Sequence, residues 1–180
     1  MNHLRDQKLP GRELCRALPL VLLFLTLPSR AGDHHLPLTT RADRVVVLKN
    51  AHTLTLLNHG KVLKEYKVAL GGDPVGPKTR QGDHKTPEGT YTLERRNDHS
   101  QFYRSIHISY PNAADRAHAH KLGISPGGDI MLHGLPNHYG WIGSAHRTHD
   151  WTDGCIAVTN EEIDEIWRAV ADGTPIEIRP

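Results

Sequence analysis

Cysteine is scarce in this chain: 180 residues hold two, Cys15 and Cys155. Long apolar runs are scarce as well. The most apolar stretch, Ala17 to Leu27 in "ALPLVLLFLTLP", falls short of the about 20 residues that a bilayer-spanning helix needs. Neither charge sign is in large excess, with 22 Lys+Arg against 20 Asp+Glu, and no internal repeat or low-complexity tract is present. These absences argue against a disulfide-stapled scaffold, a multi-spanning membrane protein and a repeat array.

The basic opening (Arg5, Lys8, Arg12, Arg16) before the short apolar run, with "SRA" ahead of Gly32, reads as a secretory signal over residues 1–31, cut after Ala31. Pro19, Pro28 and Arg30 depart from the usual signal pattern, so an uncleaved anchor is the alternative, and the membrane then enters only through this segment. Cys15 precedes the apolar core, which argues against a lipid-bearing cysteine. Without residues 1–31 the remaining 149 residues suffice for one domain with a core. They carry 17 Lys+Arg against 18 Asp+Glu, so the basic pI of about 8.6 belongs to the leader and no electrostatic case for a nucleic-acid partner remains. Export predicts an oxidising, periplasmic setting in which Cys155 has no intramolecular partner. It is then either a small buried hydrophobe or a reactive thiol.

After a short polar lead (32–43), "RVVVLKN", "HTLTLLNHG" and "KVLKEYKVAL" read as a β-meander with a turn at Asn58-His59-Gly60. Residues 71–89 lack an apolar period and are rich in Gly and Pro, which predicts a long ordered loop. "TYTLERR", "YRSIHIS", "DIMLHG" and "PIEIRP" read as further strands. Asn112 is placed to cap a short helix ending at Gly123. Thr159 and Glu162 form a capping-box pattern for a second helix, with Ile163, Ile166, Trp167 and Val170 on its apolar face and Gly173 as its stop. The prediction is a mainly β domain over 44–180 with two short helices.

Cys155 lies in "DWTDGCIAVTN", where a polar loop becomes a short apolar element. A reactive thiol needs a base and oxyanion donors; Gly154 permits close backbone approach, and a turn here offers the N–H groups of Gly154 and Cys155 as donors. Of the thirteen histidines after residue 31, His133 is the one at the end of an apolar strand, "DIMLHG".

His133-Gly134, a loop of some twenty residues and then "TDGCIA" resemble the signature of the L,D-transpeptidase (YkuD-type) catalytic domain. "KTPEG" after Gly82-Asp83 and "YPNAADRAHAHKLGISPGGDIMLHG" extend the resemblance, toward the branch of murein transpeptidases and cross-link hydrolases. It implies a β-sandwich-like catalytic domain and acyl transfer on peptidoglycan stem peptides without a cofactor. Cys155 would attack the carbonyl of the third residue, a diamino acid, and expel D-alanine. His133 would act as base and then acid, oriented by the carbonyl of Gly134. The acceptor stays open: a stem-peptide amine, a wall-linked lipoprotein lysine, or water, the last giving an amidase or carboxypeptidase. Family members commonly carry His, Ser or Arg before the glycine and Arg or Asn two residues after the cysteine, where this chain has Asp153 and Ala157. Asp153 and Asp150 then suit a cationic substrate group, and Arg147 and Lys121 are candidates for the missing cation. Trp151 and Tyr139 are candidate stacking surfaces for sugar or peptide.

A different reading takes His118, His120, His133, His138, His146 and His149 with Cys155 as zinc ligands in a periplasmic metal-binding domain. Their spacings fit no established ligand pattern, and residues 118 and 120 of a helix face different ways. No metal is expected. His107 and the lysines of "GPKTRQGDHK" are expected at the surface or in turns.

Overall fold

In the first strand, β1 (Arg44–Leu48), Val45 and Val47 are buried while Arg44 and Leu48 are exposed, the two-residue period of a strand covered on one face. The computed structural model describes residues 35–180; the expected signal segment 1–31 and the first residues of the polar lead lie outside the described residues. β2 (Thr53–Asn58) pairs antiparallel with β1 and with β3 (Lys61–Lys67), joined to β3 through His59-Gly60, so the expected meander is present. β8 (Pro175–Arg179) returns to pair in parallel with β1.

β4 (Gly89–Ser100) links the two halves of the sheet. Its residues 89–92 pair with β8, and beyond Leu93 it pairs with β5 (Tyr103–Ile108). β6 (Met131–His133) follows β5, and the two-residue β7 (Ile156–Ala157) pairs in parallel with β6 at the far edge. The resulting order is β3-β2-β1-β8-β4-β5-β6-β7. The fold is mainly β, as expected. Leu54, Leu56, Leu93, Ile106, Leu132, Ile156 and Ile176 share one apolar core with Ile163 and Ile166.

Both expected α-helices are present. α1 (Ala113–Leu122) opens with Asn112 Oδ1 accepting from the N–H groups of Ala114 and Asp115, and closes at Gly123. α2 (Asn160–Ala169) opens with a reciprocal capping box between Thr159 and Glu162 and packs on β5. It ends before Gly173, which the sequence suggested as its stop. Gly173 N–H instead donates to Leu93 O, so the chain is already turning into β8. A 3₁₀ segment, Gly140–Thr148, kinked at Gly143, occupies the loop between β6 and β7 and adds a third helical element. No helix among the described residues is long and apolar enough to cross a membrane.

The 71–89 loop is ordered by buried cations rather than by strand pairing. Lys49 Nζ reaches Gly76 O, Thr86 O and the carboxylate of Glu88 at 2.6, 3.0 and 2.7 Å. Lys78, expected at the surface or in a turn, lies in the loop and is buried with Asp83 at 2.7 Å. A buried ammonium needs such saturation to offset its desolvation. Elsewhere, the buried carboxylate of Glu165 accepts from Leu36 N, Lys64 and Tyr66 Oη and contacts His35 Nδ1, so the start of the described chain is tied to α2.

Thr159→Ala removes one half of the α2 capping box. It should lower stability by about 1 kcal/mol in urea unfolding, the usual effect of losing an N-cap hydroxyl.

Candidate functional site

The parallel ladder pairs Leu132 with Ile156 and His133 with Ala157. Cys155 stands two residues before Ala157, and side chains two apart in extended chain project to one side. His133 and Cys155 therefore lie on the same side of the sheet, and both line one cleft of about 680 Å³. Phe102, Ser105, Asp129, Met131, Trp151 and Asp153 contribute further to its walls.

The turn before Cys155 is held by a single hydroxyl. Thr152 Oγ1 donates to Cys155 O at 2.7 Å and accepts from Gly154 N–H at 3.1 Å. Gly154 has φ 123°, a region that disfavours any side chain, and an added Cβ would lie 2.4 Å from Lys85 O. Thr152 is itself fixed through its own N–H to Leu70 O and its carbonyl to Gly72 N. The short Thr-x-Gly-Cys sequence thus sets the position of the thiol against the 71–89 loop. Because Gly154 N–H is engaged by Thr152, one of the two donors expected for an oxyanion is occupied. The N–H of Cys155 remains as the other.

His133 is almost fully buried, and its Nδ1 lies 2.6 Å from Gly134 O. A carbonyl only accepts, so Nδ1 carries the proton and Nε2 is the lone-pair nitrogen. Phe102 packs on the imidazole at 4.5 Å between centroids, and Trp151 lies at 5.8 Å, edge-on. Burial in this aromatic setting lowers the His133 pKa to about 4, against the opposing hydrogen bond from Gly134. The Cys155 thiol is pushed above its ordinary value, first by burial and then by Asp153 and Asp129; the N–H of Met131, 3.4 Å from Sγ, and Lys78 pull the other way. Both shifts favour the neutral thiol and the neutral imidazole over a thiolate with an imidazolium.

The remaining sequence candidates separate. Trp151 and Asp153 line the cleft, with Asp153 hydrogen-bonded to His84 at 2.7 Å. Asp150 is structural: it accepts from Leu70 N–H and contacts His52. Tyr139 does not line the cleft; it lines a separate, largely apolar cavity of about 340 Å³ that shares Trp151 with it. Arg147 is paired with Glu162, and Lys121 is exposed on α1, so neither candidate for the missing cation lines the cleft. His118 and His120 lie on α1, and no three His, Cys, Asp or Glu side chains among the described residues converge as metal ligands.

Sequence reading passed over Phe102, Ser105 and Asp129. β5 carried a signal for one of them. Ile106 and Ile108 are buried on one face, so Ser105 and His107 share the other, and His107 is buried there rather than at the surface. Asp129 gave no such signal, because its place beside the thiol depends on its main-chain carbonyl, which lies 3.7 Å from Sγ.

Residues 42–178 match the family model described as the L,D-transpeptidase catalytic domain (YkuD). The chain is 35% identical over 133 residues to a protein of Escherichia coli (strain K12) named "Putative L,D-transpeptidase YafK". That alignment takes in 70% of this chain and 46% of YafK, so the chain spans about half the length of the curated relatives it matches. Among solved structures, the helical cell shape determining protein Pgp2 from Campylobacter jejuni superposes with a TM-score of 0.61 at 27% identity, covering 82% of this chain and 52% of that one. An L,D-transpeptidase from Xylanimonas cellulosilytica superposes at 0.51 and 17% identity, covering 80% and 63%, a likeness of fold alone.

The raised thiol predicts that alkylation of Cys155 by iodoacetamide has its pH midpoint above the ordinary cysteine value of about 8.5. Replacing Asp129 and Asp153 together by Asn should move the midpoint down. A midpoint below 8.5 in the unsubstituted protein would contradict this account of the site.

Proposed function

The chain belongs to the L,D-transpeptidase catalytic domain family, and from that membership we propose that it carries out acyl transfer on peptidoglycan stem peptides through a thioester on Cys155. The observation that carries the proposal is the common cleft of Cys155 and His133, with the imidazole held in the Nε2-basic tautomer by Gly134. A base must be neutral to accept a proton, and burial keeps His133 neutral through the physiological range.

In the proposed reaction, His133 Nε2 takes the thiol proton as Sγ attacks the carbonyl carbon of the diamino acid. The negative charge that develops on the carbonyl oxygen falls to the N–H of Cys155. Collapse breaks the C–N bond, and the departing D-alanine nitrogen receives the proton from His133. An acceptor amine then attacks the thioester, its proton passes to His133, and the thiol leaves with that proton restored. Water in place of the amine yields a free carboxylate, which is hydrolysis. The two steps share one acyl-enzyme, and each barrier is lower than that of direct amide exchange.

Asp129 and Asp153, at the mouth of the thiol, are proposed to receive the ammonium of the diamino acid or of the acceptor. Pairing with that ammonium would also relieve their effect on the thiol, so substrate binding favours thiolate formation. Amine transfer is the favoured reading from family membership; an acceptor held as ammonium first gives its extra proton to solvent, because only the neutral amine attacks the thioester. We assign the chain to cell-wall remodelling in the periplasm, with a wall-linked lipoprotein as a second acceptor or substrate and a part in cell shape as the name of Pgp2 describes for that protein.

Cys155→Ala should abolish acyl-enzyme formation in mass spectra while leaving the circular dichroism unchanged. His133→Ala should slow turnover by about 10² to 10⁴, the usual share of general acid–base catalysis. The acidic limb of kcat/KM should fall near pH 4 rather than near the ordinary imidazole value of about 6.5, since His133 loses its basic form only there. With tetrapeptide muropeptides, dimers joined between third residues identify the transpeptidase. Tripeptides without dimers, or lipoprotein release, identify a hydrolase, and a chelator-sensitive activity restored by zinc would overturn the cysteine mechanism.

A further inference from the structure

The cleft at Cys155 does not end at His133. It shares Asn97, Ser105, Asp129 and Met131 with a neighbouring cavity of about 210 Å³, which in turn shares Arg95, His107 and Asp129 with a third of about 600 Å³. The three form one groove across the face of β6, β5 and β4 toward the N-terminal end of α1. Strand register explains its floor: Asn97, Ser105 and His133 stand opposite one another in adjacent strands, as do Glu94, His107 and Met131. Ser105 is 4% exposed and lines both the cleft and the middle cavity.

The arginines of this groove stand only away from the thiol. Asp129 is exposed, its carbonyl lies beside the thiol, and it borders all three cavities. Arg95 and Arg116 line the third cavity together with Glu94, and neither lines the cleft at the thiol. A bulge between Glu94 and Arg96 sets Arg95 at φ 45° and separates Arg95 from Arg96. Both border the middle cavity, but the Arg96 guanidinium goes to the carbonyls of Trp167 and Val170 at the end of α2, whereas Arg95 also lines the third cavity, with Nη2 2.8 Å from the ring nitrogens of His107. Glu94 contacts Arg95 at Nε, 3.5 Å away, and His107 at 3.1 Å. Arg116 enters from α1, its guanidinium also touching Pro111 O.

We propose that Arg95 and Arg116 form a carboxylate subsite, which reads an acidic residue of the bound peptide on the side away from the bond that is cut. From β7 to β4 is three strand spacings, about 14 Å, or about four residues of extended chain. The reach of an arginine and of an acidic side chain shortens this, so the carboxylate belongs about one or two residues from the scissile carbonyl. A peptide bearing a carboxylate just before the attacked residue matches a groove whose arginines stand only away from the thiol. The arginines thereby supply the cation that Ala157 lacks, from a strand bulge instead of from the residues after the cysteine. The position of the scissile bond rests on the acyl-transfer reading above; the placement of the arginines does not.

The test uses full-length protein carrying Cys155→Ala and two synthetic peptides with the same diamino acid, one with a free carboxylate on the preceding residue and one with the carboxamide. The carboxylate peptide should bind about 5-fold more tightly at low salt, a modest factor because Arg95 is largely exposed, and the difference should shrink as salt is added. Adding Arg95→Gln or Arg116→Gln should reduce the discrimination and both together should remove it, with Arg95→Lys retaining part. Equal binding of the two peptides, no detectable binding of either, or discrimination that survives both substitutions would overturn the subsite. Turnover of the same peptides by protein with Cys155 intact is read separately. Discrimination without turnover would remove the reaction and keep the subsite, and turnover without discrimination would do the reverse.

Discussion

The site depends on the pairing of two very short strands. β6 has three residues and β7 two, and their parallel register sets which side chains of the two segments face the cleft. A slip of one residue would turn Cys155 away from His133, because alternate side chains of a strand face opposite ways. So short a ladder does not fix its own register. Ala157 is held on its other side by Ala69, through hydrogen bonds of 3.0 and 2.9 Å in the two directions, and Val158 N–H closes on His133 O. Thr152 locks the turn before the cysteine, and the 71–89 loop, ordered by Lys49 and by the Lys78–Asp83 pair, backs Gly154. Polar groups far from the thiol therefore determine its place.

The same packing decides the protonation of the pair. Phe102 and Trp151 exclude water from the His133 ring, which favours neutral imidazole, and burial with two nearby carboxylates favours neutral thiol. A preformed ion pair would need a polar or cationic setting at the sulfur. Here the acids occupy that place, so a cationic substrate has something to neutralise on arrival. In the proposed reaction, chemistry and recognition would be linked through one charge balance at the mouth of the cleft.

Local sequence determined a large part of this protein. Alternating Val45, Val47, Leu54 and Leu56 specified the first strands, because a half-buried strand has a period of two. Asn112 and the Thr159/Glu162 box specified where helices begin, because orphan N–H groups need acceptors within three residues. His133-Gly134 and Thr152-Asp153-Gly154-Cys155 marked the candidate thiol, the candidate histidine and the carbonyl contacting its ring, because the Gly134 and Thr152 contacts are made by neighbours close in the chain. The tertiary structure alone decided what depends on residues far apart. It joined β1 to β8 and divided β4 between two partners. It buried Lys78 and His107, removed Tyr139 and Arg147 from the cleft, and brought Asn97, Ser105 and Asp129 into it. None of these follows from spacing along the chain. Each is set by strand register, by a bulge or by desolvation, and those become defined only when segments a hundred residues apart share one sheet.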